Sequence, residues 1–334
     1  MNIFARRFAG ALSLRAILRW AALALIITPV WACEARVDLS DADARARNPV
    51  HETDRFQAAA RHGDTVVLVG DAGTVLVSAD RGAAWERVQL PQRQPPVLPD
   101  LIDVTACPDG TFVALDGARG VWFSGLDPRE WALALQALDE DGVDLTCDPT
   151  GRVWVVGAFT QITSSVDRGH TWRDQSLGDD AIFTSIQFTG SDVGIIVGEF
   201  GLHYRSFDGG ASWAAHKSIP NNFYPLAALF RDRREGWLTG LQGTVLYTTD
   251  GGAHWVRQDT GARVPVYGVA VGDTGLRAVG GRGTVFSLSG ESWQRVKRED
   301  AGYGYLRAIL PLGNGGFLAA GGNGKILILD GVAG

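Results

Sequence analysis

The chain has 334 residues, 46% hydrophobic and 20% charged, with a formal net charge of −6. That supplies apolar material for a large core, and the acidic balance argues against a polyanion such as nucleic acid as partner. Forty-three Gly and eleven Trp beside a single Met suggest short strands and tight turns, and no helical periodicity runs past residue 60.

Arg6, Arg7, Arg15 and Arg19 precede the apolar run AALALIITPVWA (21–32), and Cys33 follows at once. Basic residues, a short apolar run and a small residue at the cleavage point read as a secretory signal over 1–32. The run has 12 residues, short of the roughly 20 that cross about 30 Å of hydrocarbon. VWAC resembles a bacterial lipobox, with Val30 at −3, Ala32 at −1 and Cys33 as the lipidated residue. Trp31 at −2 departs from that pattern, so lipidation, plain export and an uncleaved anchor all stay open. Arg6-Arg7 lacks the rest of a twin-arginine signal, which leaves the general secretion route and the periplasmic side of a membrane.

Beyond a 33–54 segment the sequence repeats itself. A pattern G-x-x-G followed by a strand-like run recurs, as in GDAGTVLVS (70–78), GARGVWFS (117–124), GEFGLHYRS (198–206) and GLQGTVLYT (240–248). The anchors are Gly73, Gly120, Thr160, Gly201, Gly243, Gly283 and Gly324, spaced 47, 40, 41, 42, 40 and 41 residues apart. The one long spacing holds the Pro-rich loop PQRQPPVLP (91–99). Each copy reads as four short strands, the unit of a propeller blade. The expectation is an all-β, seven-bladed β-propeller of four-stranded blades over 55–330; a β-solenoid would use shorter coils. The last copy stops after its third strand, GKILILDGVAG. An unpaired edge invites aggregation, so residues within 36–54 are expected to supply the missing strand and close the ring.

Cys107 and Cys147 each precede a repeat glycine, Gly117 and Gly157, by ten residues and read as equivalent positions in neighbouring repeats. Two small buried side chains are the expectation. An exported compartment permits a disulfide between them.

Between the third and fourth strands lie SADRGAAW (78–85), SVDRGHTW (165–172), SFDGGASW (206–213) and TTDGGAHW (248–255), with degenerate copies at 124–131 and 287–293. Each element has a structural use. Asp80, Asp167, Asp208 and Asp250 are suited to accept backbone N–H groups ahead of them. The glycine tolerates positive φ. Trp85, Trp172, Trp213 and Trp255 open the next strand, burying a ring while the indole N–H finds a carbonyl. One carboxylate per loop does not make a calcium site.

These motifs resemble the Asp-box, or bacterial neuraminidase repeat. With seven units of about 41 residues in an exported chain, the sequence is most similar to the photosystem II stability/assembly factor-like family over roughly residues 55–330. The resemblance implies a seven-bladed propeller without enzymatic activity, cofactor or metal, expected as a monomer. It also implies a membrane protein or membrane complex subunit as the assembly partner.

The alternative is a glycoside hydrolase of the sialidase type. That enzyme needs three clustered arginines, a Tyr–Glu pair and an Asp acid, carries an Arg-Ile-Pro signature absent here, and has six blades. Glu199 and Asp71, both in glycine turns, are the carboxylate pair to check. No P-loop and no Cys/His pair with metal-ligand spacing occurs. Propeller geometry places the turns between second and third strands on one face with the links between blades. That face receives Arg93, Arg119, Phe159, Phe200, Tyr224, Arg263, Arg282, Tyr303 and Tyr305. Arg with Tyr and Phe is the mixture enriched at interface centres, so this face is the expected partner site. On the opposite face RDRREGW (231–237) gathers Arg231, Arg233 and Arg234.

Overall fold

The computed structural model describes residues 48–329 except 92–97, 299, 301 and 303. The signal, Cys33, most of the 33–54 segment, Arg93 and Tyr303 therefore lie outside the described residues.

Each repeat folds as an antiparallel meander. The first blade comprises Phe56–His62, Thr65–Gly70, Thr74–Ser78 and Glu86–Val88. Blades two to six begin at Leu101–Ala106, Gly142–Cys147, Phe183–Phe188, Ala227–Phe230 and Val266–Gly272. The seventh comprises Leu306–Pro311, Phe317–Gly321 and Ile326–Leu329. Six sheets have four strands and the last has three among the described residues, so the expected all-β seven-bladed propeller is the observed architecture. Second strands such as Val153–Gly157 and Gly194–Gly198 are buried along their whole length. Neighbouring blades cover both of their faces, which is why they read as unbroken apolar, β-branched runs.

The core is divided among the seams. Seven apolar clusters occur among the described residues, each joining two adjacent blades. The cluster that joins the first blade to the seventh sets Phe56, Leu68 and Leu76 against Leu310, Leu318 and Ala320, so packing closes the circle.

A second device ties the ring at five of the blades. Gly73 N–H donates to Pro99 O (2.6 Å), Thr160 to Ala181 (2.8 Å), Gly243 to Val264 (2.7 Å) and Gly283 to Gly304 (3.0 Å). Every acceptor stands two residues before the first strand of the following blade. Gly324 N–H donates to Asp54 O at 2.8 Å, and Asp54 stands two residues before Phe56. The N-terminal segment thus takes the place of a link after the seventh blade. Arg87 of the first blade ion-pairs with Asp54 and donates to Pro49 O. Residues 48–54 contain no strand; the rest of the segment expected to provide a closing strand lies outside the described residues.

The cysteines differ from expectation. Cys107 and Cys147 are joined in a disulfide with a Cα–Cα distance of 5.1 Å. They are also not equivalent. Cys147 ends its strand opposite Val153, as Ala106 does opposite Phe112, and Cys107 is one residue further on. Successive side chains point to opposite faces of a sheet. That single step turns Cys107 toward the third blade and Cys147 back toward the second, into one shared seam cluster.

Candidate functional site

The face formed by inter-blade links carries a seven-fold irregularity. The residue before each anchor is left-handed: Ala72 (φ 53°), Arg119 (67°), Phe159 (52°), Phe200 (56°), Gln242 (54°), Arg282 (57°) and Asn323 (61°). The preceding glycine permits the approach that forces this turn, since a Cβ on Gly157 would meet Asp141 O at 2.1 Å. The side chains are thrown outward. Phe159 and Phe200, equivalent residues of adjacent blades, are 51% and 62% exposed, and Tyr224 is 41% exposed.

The expected partner residues fall into distinct groups. Arg119 is not a free cation: its Nε lies 2.7 Å from Asp141 Oδ1, its Nη2 lies 3.6 Å from Glu140, and it donates to Asp139 O. Those carboxylates raise its already high pKa further, the Asp141 hydrogen bond most of all. Arg263 and Arg282 are exposed. Tyr305 is only half-buried and packs edge-on to Tyr267 at 6.3 Å.

On the opposite face the four well-kept boxes share one bonding scheme. In the third copy Ser206 Oγ donates to Asp208 Oδ1 (2.7 Å), Gly210 N–H donates to Ser206 Oγ (2.7 Å), and Ser212 N–H donates to Asp208 Oδ1 (2.9 Å). The same contacts recur around Asp80, Asp167 and Asp250. Every Asp is held below the ordinary carboxylate range. Hydrogen bonds from Thr171 and from Ser212, side chain first, bring Asp167 and Asp208 each to about 2. His254 lowers Asp250, and the Ala84 N–H lowers Asp80. Each of these carboxylates is bonded within its own hairpin.

The tryptophans divide. Trp172 donates to Gln136 O at 3.1 Å. The buried indole nitrogens of Trp213 and Trp255 find no acceptor among the described residues, contrary to expectation. Those two rings serve through packing, Trp213 edge-on to Trp154 at 5.8 Å and Trp255 edge-on to Phe230 at 6.2 Å. Arg231 and Arg233 are ion-paired to Glu235 (2.7 Å) and Asp192 (3.3 Å), and Arg234 donates to Thr249 O at 3.3 Å.

The feature that sequence reading missed is the central channel. Ladder irregularities near the start of the first strands re-aim Gln57, Ile102, Val143, Thr184, Tyr267 and Arg307 into a cavity of about 250 Å³. Asp103 and Asp144 stand beside them at the seam of the second and third blades. Asp103 accepts Leu145 N–H (2.9 Å) and Asp144 accepts Ile186 N–H (2.7 Å), so each carboxyl staples its strand to the next blade. Burial raises both pKa values, and the Asp103 charge raises Asp144 further. Arg307 is exposed to the channel and is the cation acting on Asp103. Asp71 and Glu199, the pair singled out from sequence, belong to the first and fourth blades and are engaged separately. Asp71 accepts Gln57 Nε2 (2.9 Å), and Glu199 accepts Ile182 N–H (2.9 Å). Among the described residues no group of three or more His, Cys, Asp or Glu is placed to hold a metal ion.

Seven blades, Asp-box hairpins on one face and protruding aromatic turns on the other define an Asp-box β-propeller. The sequence profile described as photosynthesis system II assembly factor YCF48 matches residues 172–329. The photosystem II assembly lipoprotein Ycf48 of Synechococcus sp. (strain CC9902) is 27% identical over 162 residues, which cover 46% of this chain and 48% of that protein. The photosystem II assembly protein Ycf48 of Thermosynechococcus vestitus is 25% identical over 197 residues, covering 55% and 53%. The matched region is thus about half the length of these curated relatives. The solved YCF48 of Cyanidioschyzon merolae superposes with a TM-score of 0.68 at 16% identity, covering 84% of this chain and 96% of that one. YCF48 bound to a D1 peptide gives 0.68 at 15%, covering 85% and 93%. A catalytically inactive virginiamycin B lyase from Staphylococcus aureus gives 0.69 at 12%, covering 84% and 96%. This chain is a seven-bladed propeller that is similar, over the matched residues, to photosystem II assembly factors. The lyase builds an enzyme on the same frame, so the frame alone does not decide catalysis.

Proposed function

We propose that this chain is a non-enzymatic, exported binding scaffold that holds a segment of a membrane protein during assembly of its complex. The domain division follows from that reading: a signal over 1–32, a segment at 33–54 tethered through lipid on Cys33, and a monomeric propeller over 55–330. Relatives named for photosystem II assembly, one of them a lipoprotein, support it, as does a similar fold bound to a D1 peptide. Among the described residues no helix is long and apolar enough to cross a membrane.

One observation carries the reading. Phe159 and Phe200 hold left-handed backbones and expose most of their rings. Such a backbone costs on the order of 1–3 kcal/mol for a non-glycine residue, and an exposed aromatic returns nothing to folding. A residue that is unfavourable on both counts is suited to contact outside the fold.

The test is Phe159→Gly with Phe200→Gly, because glycine suits these dihedrals. The double variant is expected to keep or raise the melting temperature while losing the partner captured from solubilised membranes by the wild type. Capture that survives the change would overturn the reading. Turnover of fluorogenic sialosides by the wild type would revive the hydrolase.

A further inference from the structure

We propose that a pocket on the outer side of the third blade recognises a basic side chain, arginine or lysine, of a binding partner. It rests on the scaffold reading only for the source of that side chain. The cavity, about 240 Å³, is lined by Phe159, Gln161, Trp172, Asp139, Glu140 and Asp174, between the third blade and the link that leads into it.

Gln161 is the informative residue. It is 3% exposed, and its side-chain amide makes no hydrogen bond among the described residues, with Oε1 wholly buried. Buried polar groups are almost always paired, so an unpaired amide lining a cavity marks a position where a ligand supplies the partner. Rotation about its terminal torsion presents either the oxygen or the nitrogen.

The surrounding charge selects the ligand. Asp174 accepts the Ser176 N–H (2.9 Å) and hydroxyl (2.5 Å), bonds that lower its pKa, the hydroxyl first, and keep it ionised. Asp139 has no side-chain partner among the described residues, and Glu140 is 3.6 Å from Arg119, which binds Asp141 more tightly. Among the described residues Arg119 pairs with Glu140 and Asp141, whereas Asp139 and Asp174 have no ion pair, so negative charge remains uncompensated. Phe159 and Trp172 add aromatic surface, and the Gln136 carbonyl holds the Trp172 indole in place. Carboxylates with a buried amide and aromatic walls suit a guanidinium or ammonium group. An anion would meet repulsion here.

The full chain would be titrated at low salt with a short capped Gly/Ala peptide bearing one central Arg, and with Lys and citrulline versions. Expected is binding of the Arg or Lys peptide, lost with citrulline and weakened about tenfold by Asp139→Asn or Gln161→Leu. Gln161→Leu should also leave the melting temperature unchanged or higher, since it removes an unpaired buried amide. Equal binding of the citrulline peptide, intact binding by Gln161→Leu, or a melting point lowered by that change would each overturn the proposal. Peptide binding without membrane-partner capture would leave the pocket standing and remove the scaffold reading.

Discussion

Asp103 and Asp144, on the first strands of adjacent blades, lie together at the wall of the central channel, close enough for the Asp103 charge to act on Asp144. Burial and the Asp103 charge push the Asp144 pKa well above the usual carboxylate range, which favours its protonated form. A carboxyl whose folded pKa is raised stabilises the fold below its unfolded pKa, and that contribution is lost as pH rises through the folded value. Asn at 144 mimics the protonated form and can still accept the Ile186 N–H. Asp144→Asn is therefore expected to raise the melting temperature at pH 8 by about 3 °C or more. The gain should vanish near pH 4. Calorimetry at both pH values checks this, and a melting point at pH 8 equal to or below the wild type's would contradict it.

The Cys107–Cys147 disulfide closes a loop with a sequence separation of 40. Chain-entropy arguments give about 4 kcal/mol for a loop of that size. Cys107→Ala with Cys147→Ala should lower the melting point by roughly 8 °C or more, and a reductant should do the same to the wild type alone. A melting curve insensitive to both would mean that the bond adds nothing to the seam.

The fold was legible because its punctuation is local. Six of the seven anchors are glycines, five of them at positive φ, and Thr160 (φ 50°) adopts the same backbone sign in the remaining copy. The site was less legible because it is made between blades. The disulfide depends on a one-residue offset that counting back from Gly117 and Gly157 conceals. The ion pairs that occupy Arg119 come from 139–141, in the link that follows. Asp103 and Asp144 read as ordinary strand residues until two blades are set side by side. Gln161 carries no signal in the sequence, since only packing reveals that its amide is unpaired.

The box glycines make a sharper stability test than the box aspartates. Gly210 has φ 79°, and a Cβ there would lie 2.3 Å from the Trp154 ring of the preceding blade. Gly210→Ala should cost about 2–4 kcal/mol through strain and overpacking. Asp208→Ala should cost less, because water can satisfy the N–H groups it frees at the surface. Its signature is in acid. Asp167 and Asp208, held near 2, add stability that is present above the ordinary carboxylate pKa and is lost as pH falls through about 2. The wild type should lose melting temperature more steeply below pH 4 than the Asp167→Ala, Asp208→Ala double variant. Parallel acid profiles would remove the boxes from the account of acid stability.

The seventh blade supplies the last test. Its third strand, Ile326–Leu329, is an edge among the described residues, and Ile328 is 40% exposed there. Gly324 already bonds Asp54, so a chain running back from Asp54 starts beside that blade. Within 36–47 the stretch RVDLS alternates Val37 and Leu39 with polar neighbours, the pattern of a strand with one covered face. Removing 34–54 takes away both the Asp54 bond and any closing strand, whereas removing 34–47 spares the Asp54 bond. If that stretch pairs with Ile326–Leu329, the shorter deletion alone should lower the melting temperature by more than about 5 °C. It should also promote self-association through the bared edge, seen as a concentration-dependent shift in light scattering. A shorter deletion that melts and scatters light as the wild type does would assign closure to the Asp54 bond and the seam of Phe56, Leu76 and Leu318 alone.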